Sequence, residues 1–218
     1  MTYDYKKGKE RVEEILDNEI VITESKIPSD EKFTFTNGYY SWVTAIFVDV
    51  RDSSKLFSKE GLENKKKTAK LIRAFTSEII EILRDAENLK EIGIRGDCVY
   101  AIYNTPKQSD VLECANKTFY VNTYLKMLNK MLHGRGEEEF KAGIGMATAK
   151  ELVIKAGRSH TNINSKVWIG EAVTRASNLS SLGEKEFDDR LVFSNASYIN
   201  FIEGLKEQNT KKSSQEVE

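Results

Sequence analysis

Residues 40–50, YSWVTAIFVDV, and residues 91–103, EIGIRGDCVYAIY, are the two stretches that decide the fold. The first is β-branched and aromatic with no charge before Asp49, the composition of a buried strand. The second places Gly96-Asp97 between two alternating apolar runs, which signals a tight hairpin. Between them, residues 63–84 carry apolar side chains at Leu71, Ile72, Phe75, Ile79, Ile80 and Leu83, the stripe of an amphipathic helix. Strand, helix, hairpin is therefore the first part of the order.

Working outward, a second long helix is expected over 111–132. Strands follow near 140–149, 151–155 and 166–169, then a helix over 171–182, a strand over 191–194 and a helix over 198–205. Upstream, Val12, Ile15, Leu16 and Ile20 give helical spacing over 7–20, and Pro28-Ser29-Asp30 breaks it. Long helices beside an antiparallel-prone hairpin predict an α+β fold, a ferredoxin-like sheet with helices packed on it. Neither Gly-x-Gly-x-x-Gly nor a P-loop occurs, so the doubly wound nucleotide folds are not indicated.

The 218 residues suffice for one domain with small appendages. The parts are residues 1–36 as a helix and lead-in, 37–205 as the domain proper, and 206–218 as a polar tail expected to fray. Lys plus Arg number 33 against 34 Asp plus Glu, a net charge of −1, so nothing favours nucleic acid or an anionic membrane as partner. No apolar run approaches the roughly 20 residues of a membrane span. The opening MTYDYKKGKERVEEIL is too charged for a secretory signal. With two cysteines (Cys98, Cys114) and two histidines (His133, His160), a Cys/His zinc site is not expected. Unpaired thiols suit a reducing, cytoplasmic setting.

Asp49 ends an apolar strand, and Val50-Arg51-Asp52-Ser53-Ser54 leads from it towards a helix. A carboxylate at that exit, with backbone N–H groups beside it, suits a metal-bound triphosphate. Asp97 lies at the hairpin tip. If the two strands are neighbours, both carboxylates reach one point and can hold two divalent ions, the arrangement that serves phosphoryl transfer. Ordinary chemistry also accounts for each residue alone. Gly-Asp is a common turn pair, and Asp52 or Ser53 after the strand can be a helix N-cap.

FVDVRDSS at 47–54 followed by IRGDCVYAIY at 94–103 resembles the class III nucleotidyl cyclase catalytic domain. Its pattern is Phe-x-Asp-Ile-x-Gly-Phe-Thr, then Ile-Gly-Asp-Cys/Ala-x-x-Ala. FKAGIGMATAKELV at 140–153 is similar to the family's glycine-bearing strand hairpin. VWIGEAVTRASNLSSLG at 167–183 is similar to its Trp-Gly-Asp-x-Val-Asn-x-Ala-x-Arg-Leu helix. The likeness spans about 42–194 in consistent order. It implies that 37–205 is a cyclase catalytic domain and that Asp49, Asp97 and the Val50 backbone hold two divalent cations, Mn²⁺ or Mg²⁺. It makes Val50, Arg51, Asp52, Ser53 and Ser54 the triphosphate loop of a nucleoside triphosphate site. It also implies a head-to-tail homodimer, because in this family metal and base contacts come from different subunits.

Four departures bear on the substrate and the mechanism. The purine cyclases carry a base-reading Lys where this chain has Gly93, and an Asp where it has Val167. Without those partners a purine edge goes unread. Arg95, Tyr100 and Trp168 are the residues that can fill the space, Arg95 either in the cleft or paired on the surface with Glu91. The family Asn and transition-state Arg align with Thr174 and Asn178, on one helix face. Arg175, Arg158 and Lys155 are then candidate replacement cations, Arg175 being the true equivalent if the alignment slips by one turn. The pattern is similar to the bacterial Pycsar pyrimidine cyclases, which implies cyclic UMP or cyclic CMP synthesis from UTP or CTP in anti-phage defence. A purine cyclase with rewired contacts and a catalytically silent dimerisation module are the rival readings.

Overall fold

The computed structural model describes residues 3–51, 65–158 and 163–215. Asp52, Ser53 and Ser54 lie outside the described residues. In chain order the elements are α1 (Tyr5–Asp17), β1 (Val21–Glu24), β2 (Asn37–Val50), α2 (Lys65–Arg84), β3 (Leu89–Arg95) and β4 (Cys98–Asn104). Then come α3 (Gln108–His133), β5 (Ala142–Gly157), β6 (Asn164–Gly170), α4 (Ala172–Ser180), β7 (Leu191–Phe193) and α5 (Asn195–Gln215).

The chain divides into two compact units. The larger comprises residues 41–151 and 170–218, the smaller residues 1–40 and 152–169. In the larger unit the strands pair in the order β3-β4-β2-β5, with β7 parallel to β5. Side chains alternate across these strands. Ile46, Val48 and Val50 of β2, Val99, Ala101 and Tyr103 of β4, and Ala142, Ile144 and Met146 of β5 point into one buried cluster. Phe75, Ile79 and Leu83 of α2, and Val121, Leu125 and Leu128 of α3, close it. The β2–β4 ladder pairs Phe47 with Tyr100 and Asp49 with Cys98, so the residues of the other parity share the opposite face.

On that second face α4 lies directly on the backbone of β5. A Cβ added at Gly145 would meet the Ala176 carbonyl oxygen at 2.1 Å, and one at Gly143 would meet the Ser180 carbonyl oxygen at 2.0 Å. The GIG of the FKAGIGMATAKELV motif is thus a bare backbone track for a helix, with Ile144 between the glycines turned into the core.

In the smaller unit β1 runs parallel to the start of β2, Val21 opposite Asn37 and Glu24 opposite Tyr40. Lys166 on β6 pairs with Asp30 at 2.6 Å. Asp4 caps α1 by accepting from the N–H groups of Lys6 and Lys7.

The α+β sheet with helices packed on it is as expected, and three details differ. Residues 140–149 and 151–155 were expected as two strands, yet β5 is one strand of 16 residues. Lys150 alone separates the two expected runs, and the strand continues through it to Glu151, which is fully buried with its carboxylate accepting from the N–H groups of Ala172 and Val173. The short run VITE is strand β1, too brief to show a period. The tail expected to fray is helical through Gln215, because α5 simply continues its backbone ladder.

Gly145→Ala should therefore destabilise the protein by about 3 kcal/mol, the upper range for forced overpacking. Gly136→Ala, at φ +68° with nothing within 4 Å, should cost only about 1–2 kcal/mol. Urea unfolding of both variants checks this, and a smaller loss for Gly145→Ala would be contrary to the packing described.

Candidate active site

The ladder brings the two aspartates together. Asp49 pairs with Cys98, and Asp97 is the turn residue that precedes Cys98. Gly96, at φ +63°, takes the left-handed conformation that lets β3 turn back into β4 within two residues. Asp49 feels the charge of Asp97. Burial raises the Asp49 pKa first and the Asp97 carboxylate adds to it, while Arg51 and Lys185 oppose the rise. Cys98 is pushed up to about 12 by burial and then by the charge of Asp49. It is a thiol, not a nucleophilic thiolate.

Arg51 enters the site in a way the sequence reading did not foresee. Its Nη1 donates to Asp49 Oδ2 at 3.0 Å and its Nε to the Gly183 carbonyl at 2.7 Å. Its backbone N–H donates to the Lys141 carbonyl at 2.8 Å. As a member of a triphosphate loop it would offer its amide and guanidinium to phosphate; here both are turned inward. The signal was present, since residues two apart on a strand share a face. Gly183 left no comparable signal, because a backbone carbonyl is written in no residue type.

A cation fits this site. Asp49 is desolvated and close enough to Asp97 to feel its charge, and among the described residues Arg51 donates to its Oδ2. Among the described residues no group of three His, Cys, Asp or Glu side chains surrounds an ion. Two carboxylates, the Val50 backbone and substrate phosphates are the donor set that Mg²⁺ and Mn²⁺ accept.

Next to the carboxylates, Tyr100 stacks on Phe47 with ring centroids 5.5 Å apart. Its hydroxyl donates to Glu91 Oε1 at 2.9 Å. A Cβ at Gly93 would meet that hydroxyl oxygen at 2.8 Å, so Tyr100 occupies the space above Gly93. Arg95, exposed, is near enough for its charge to act on Tyr100, and Glu91 accepts the tyrosine hydroxyl.

On α4, Ala172, Ala176 and Ser180 are buried, while Thr174, Arg175 and Asn178 are exposed. Thr174 and Asn178 lie one turn apart on that outward face. Arg175 pairs with Glu171 at 2.7 Å along the helix surface. Glu171 makes no cap bond, and Glu151 takes over that role from β5. Val167 is exposed on β6 and Trp168 is half-buried there.

The structure is similar to the guanylyl cyclase Cya2, with a TM-score of 0.61 and 18% identity over 75% of this chain and 80% of that one. It is equally similar to the adenylyl cyclase CyaB from P. aeruginosa, with a TM-score of 0.61 and 18% identity over 76% and 83%. These likenesses define the fold as that of the class III nucleotidyl cyclases. No family model matches the sequence. The uridylate cyclase of Treponema porcinum is 52% identical over 201 residues, covering 92% of this chain and 69% of that protein. The uridylate cyclase of Gulbenkiania mobilis is 34% identical over 197 residues, covering 88% and 76%. The chain belongs to the uridylate cyclase family of class III nucleotidyl cyclases.

The raised Asp49 pKa has a sign that can be measured. With its folded value above the ordinary 3.8, ionising Asp49 weakens folding as pH rises from about 3.8 through the raised value. Without divalent cations, Asp49→Asn should melt higher than wild type at pH 7, and this advantage should shrink towards pH 4. A pH-independent difference between the two melting temperatures would show that Asp49 is not strained by its charge.

Proposed function

We propose that this chain converts UTP to 3′,5′-cyclic UMP and pyrophosphate. The observation that supports the reading is the pairing of Asp49 with Cys98, one residue beyond Asp97 at the hairpin turn, with the Asp97 charge acting on Asp49. The names of the two relatives support UTP rather than CTP as substrate.

In the reaction the ribose 3′-oxygen forms a bond to the α-phosphorus, the bond to the pyrophosphate oxygen breaks, and the 3′-hydroxyl proton leaves to solvent. Asp49, Asp97 and the Val50 carbonyl would hold two divalent cations, Mn²⁺ or Mg²⁺, whose charge lowers the 3′-hydroxyl pKa and neutralises the triphosphate. The protein supplies no nucleophile. Its residues position the triphosphate and the ribose, and positioning with charge stabilisation accounts for the rate. Tyr100 stacked on Phe47, with Arg95 exposed near it, would read the base of a nucleotide whose cations the aspartates of a second copy hold, Arg95 offering a planar donor fork to a pyrimidine carbonyl. The tyrosine above Gly93 shortens the space in which a purine would lie.

Thr174, Asn178 and Arg175 face outward on α4, the disposition expected if they complete a site in a second copy. The reading is accordingly of a homodimer with two equivalent sites, in the cytoplasm, making a second messenger for anti-phage defence.

Purified protein with Mn²⁺ and each of the four nucleoside triphosphates, its products identified by mass spectrometry, tests this. Cyclic UMP from UTP is expected. Cyclic AMP or cyclic GMP as main product would overturn the pyrimidine assignment, cyclic CMP would redirect it to CTP, and no cyclic product would remove the enzyme. Asp97→Ala should lower turnover at least about a thousandfold, several kcal/mol of charge stabilisation, with the fold retained. Tyr100→Ala should reduce kcat/KM for UTP by about tenfold and narrow its margin over ATP.

A further inference from the structure

We propose that Glu184 and Arg190 are positioning residues for the Asp49 carboxylate, acting through Arg51 and the Gly183 carbonyl. The inference rests on the reading of Asp49 as a cation ligand. Its starting point is that Arg51 has nowhere else to go. Its side chain is 9% exposed, with Nη1 on Asp49 and Nε on the Gly183 carbonyl. The remaining nitrogen, Nη2, is buried without a hydrogen-bond partner. It lies over Gly143, where an added Cβ would come within 2.0 Å of it. The rotamer that holds Asp49 Oδ2 is therefore fixed by where Gly183 puts its carbonyl.

That carbonyl is set in turn by an unusual neighbour. Glu184, at φ 50°, is the sole non-glycine with positive φ among the described residues. An L side chain in the left-handed region is strained, and glycine would adopt it freely. Glycine would also lose what the carboxylate does. Glu184 Oε2 accepts from the Ala142 N–H at 2.8 Å, and Oε1 accepts from Arg190 Nη2 at 2.8 Å. The Glu184 N–H donates to the Asp189 carbonyl at 3.1 Å.

Arg190 ties this turn to the rest of the unit. Its side chain is 9% exposed, and Nη1 donates to Asn122 Oδ1 on α3 at 3.1 Å. Its carbonyl accepts from the Ile144 N–H on β5 at 2.8 Å. A continuous run of bonds thus leads from α3 through Arg190, Glu184, the 183–184 peptide and Arg51 to Asp49. Strain held by several partners is the arrangement by which a backbone clamps a site. The partner that orients a ligating carboxylate commonly sets cation affinity by 10–100-fold.

The test is a double-mutant cycle on full-length protein with Arg51→Met, Arg190→Met and both together. Mn²⁺ affinity is read by electron paramagnetic resonance in the presence of a non-hydrolysable UTP analogue, beside kcat, KM and the melting temperature. Arg51→Met should weaken Mn²⁺ binding by about 10–100-fold. Arg190→Met should weaken it by about tenfold, with kcat falling and KM for UTP little changed. The double variant should bind no worse than Arg51→Met alone, because both act on one carboxylate in series. A double loss equal to the product of the single losses would overturn the proposal, as would unchanged Mn²⁺ affinity in Arg190→Met. Should Arg190→Met not fold, Asn122→Ala removes only the outermost bond and should show the same non-additivity with a smaller, two- to threefold effect. Glu184→Gln, which keeps one acceptor, should retain more affinity than Glu184→Ala; equal losses would count against the relay. Wild type that binds Mn²⁺ with this coupling yet cyclises no nucleotide would leave the relay standing and remove the proposed function. Wild type that makes cyclic UMP while the losses simply add would do the reverse.

Discussion

Alternation along β2 is the constraint from which the rest follows. Ile46, Val48 and Val50 point into the cluster closed by α2 and α3, and Phe47 and Asp49 point the other way. A one-residue slip of β2 against β4 would turn Asp49 into an apolar core and bring Val48 or Val50 to the site. The apolar side chains that hold the register thereby also aim the carboxylate. Burial of an ionised aspartate without partners is costly enough that the fold itself enforces the choice.

At Asp49 opposing effects meet. Desolvation and the Asp97 charge favour the neutral acid, and Arg51 favours the carboxylate. Burial and its acid neighbour win in the isolated chain. A carboxylate raised in this way is one that a nearby positive charge would stabilise in its ionised form. Arg51 donates to Oδ2, and that contact orients the carboxylate. Cys98 next to it is held as a thiol by the same field.

Much of this was legible in the sequence because strand and helix periods are written in side-chain polarity. The buried strand ending in Asp49, the Gly96-Asp97 hairpin and the α2 stripe could be read from spacing alone. So could the common exposed face of Thr174 and Asn178. What was not legible depends on backbone atoms and on long separations. Glu151 read as the start of a separate strand, yet it lies within one long strand and caps a helix that starts 21 positions later. Arg51 looked like a phosphate ligand, and its binding to a carbonyl 132 positions away has no trace in local composition. Tyr100 filling the room above Gly93 was suggested by the absence of a lysine, and the register pair Gly93–Tyr100 gives the physical form of that substitution.

The glycine track on β5 also limits how such a site can change. With the Ala176 and Ser180 backbone seated on Gly145 and Gly143, the inner side of α4 has no side-chain volume to trade. Repacking there is closed, since any enlargement lifts the helix bodily. The outer side, with Thr174, Arg175 and Asn178, touches none of that seam. Inheritance of the carboxylate half and exchange of residues on the helix half are thus mechanically uncoupled. Single substitutions at Thr174, Arg175 or Asn178 change a solvent-facing helix surface without revisiting the glycine seam beneath it.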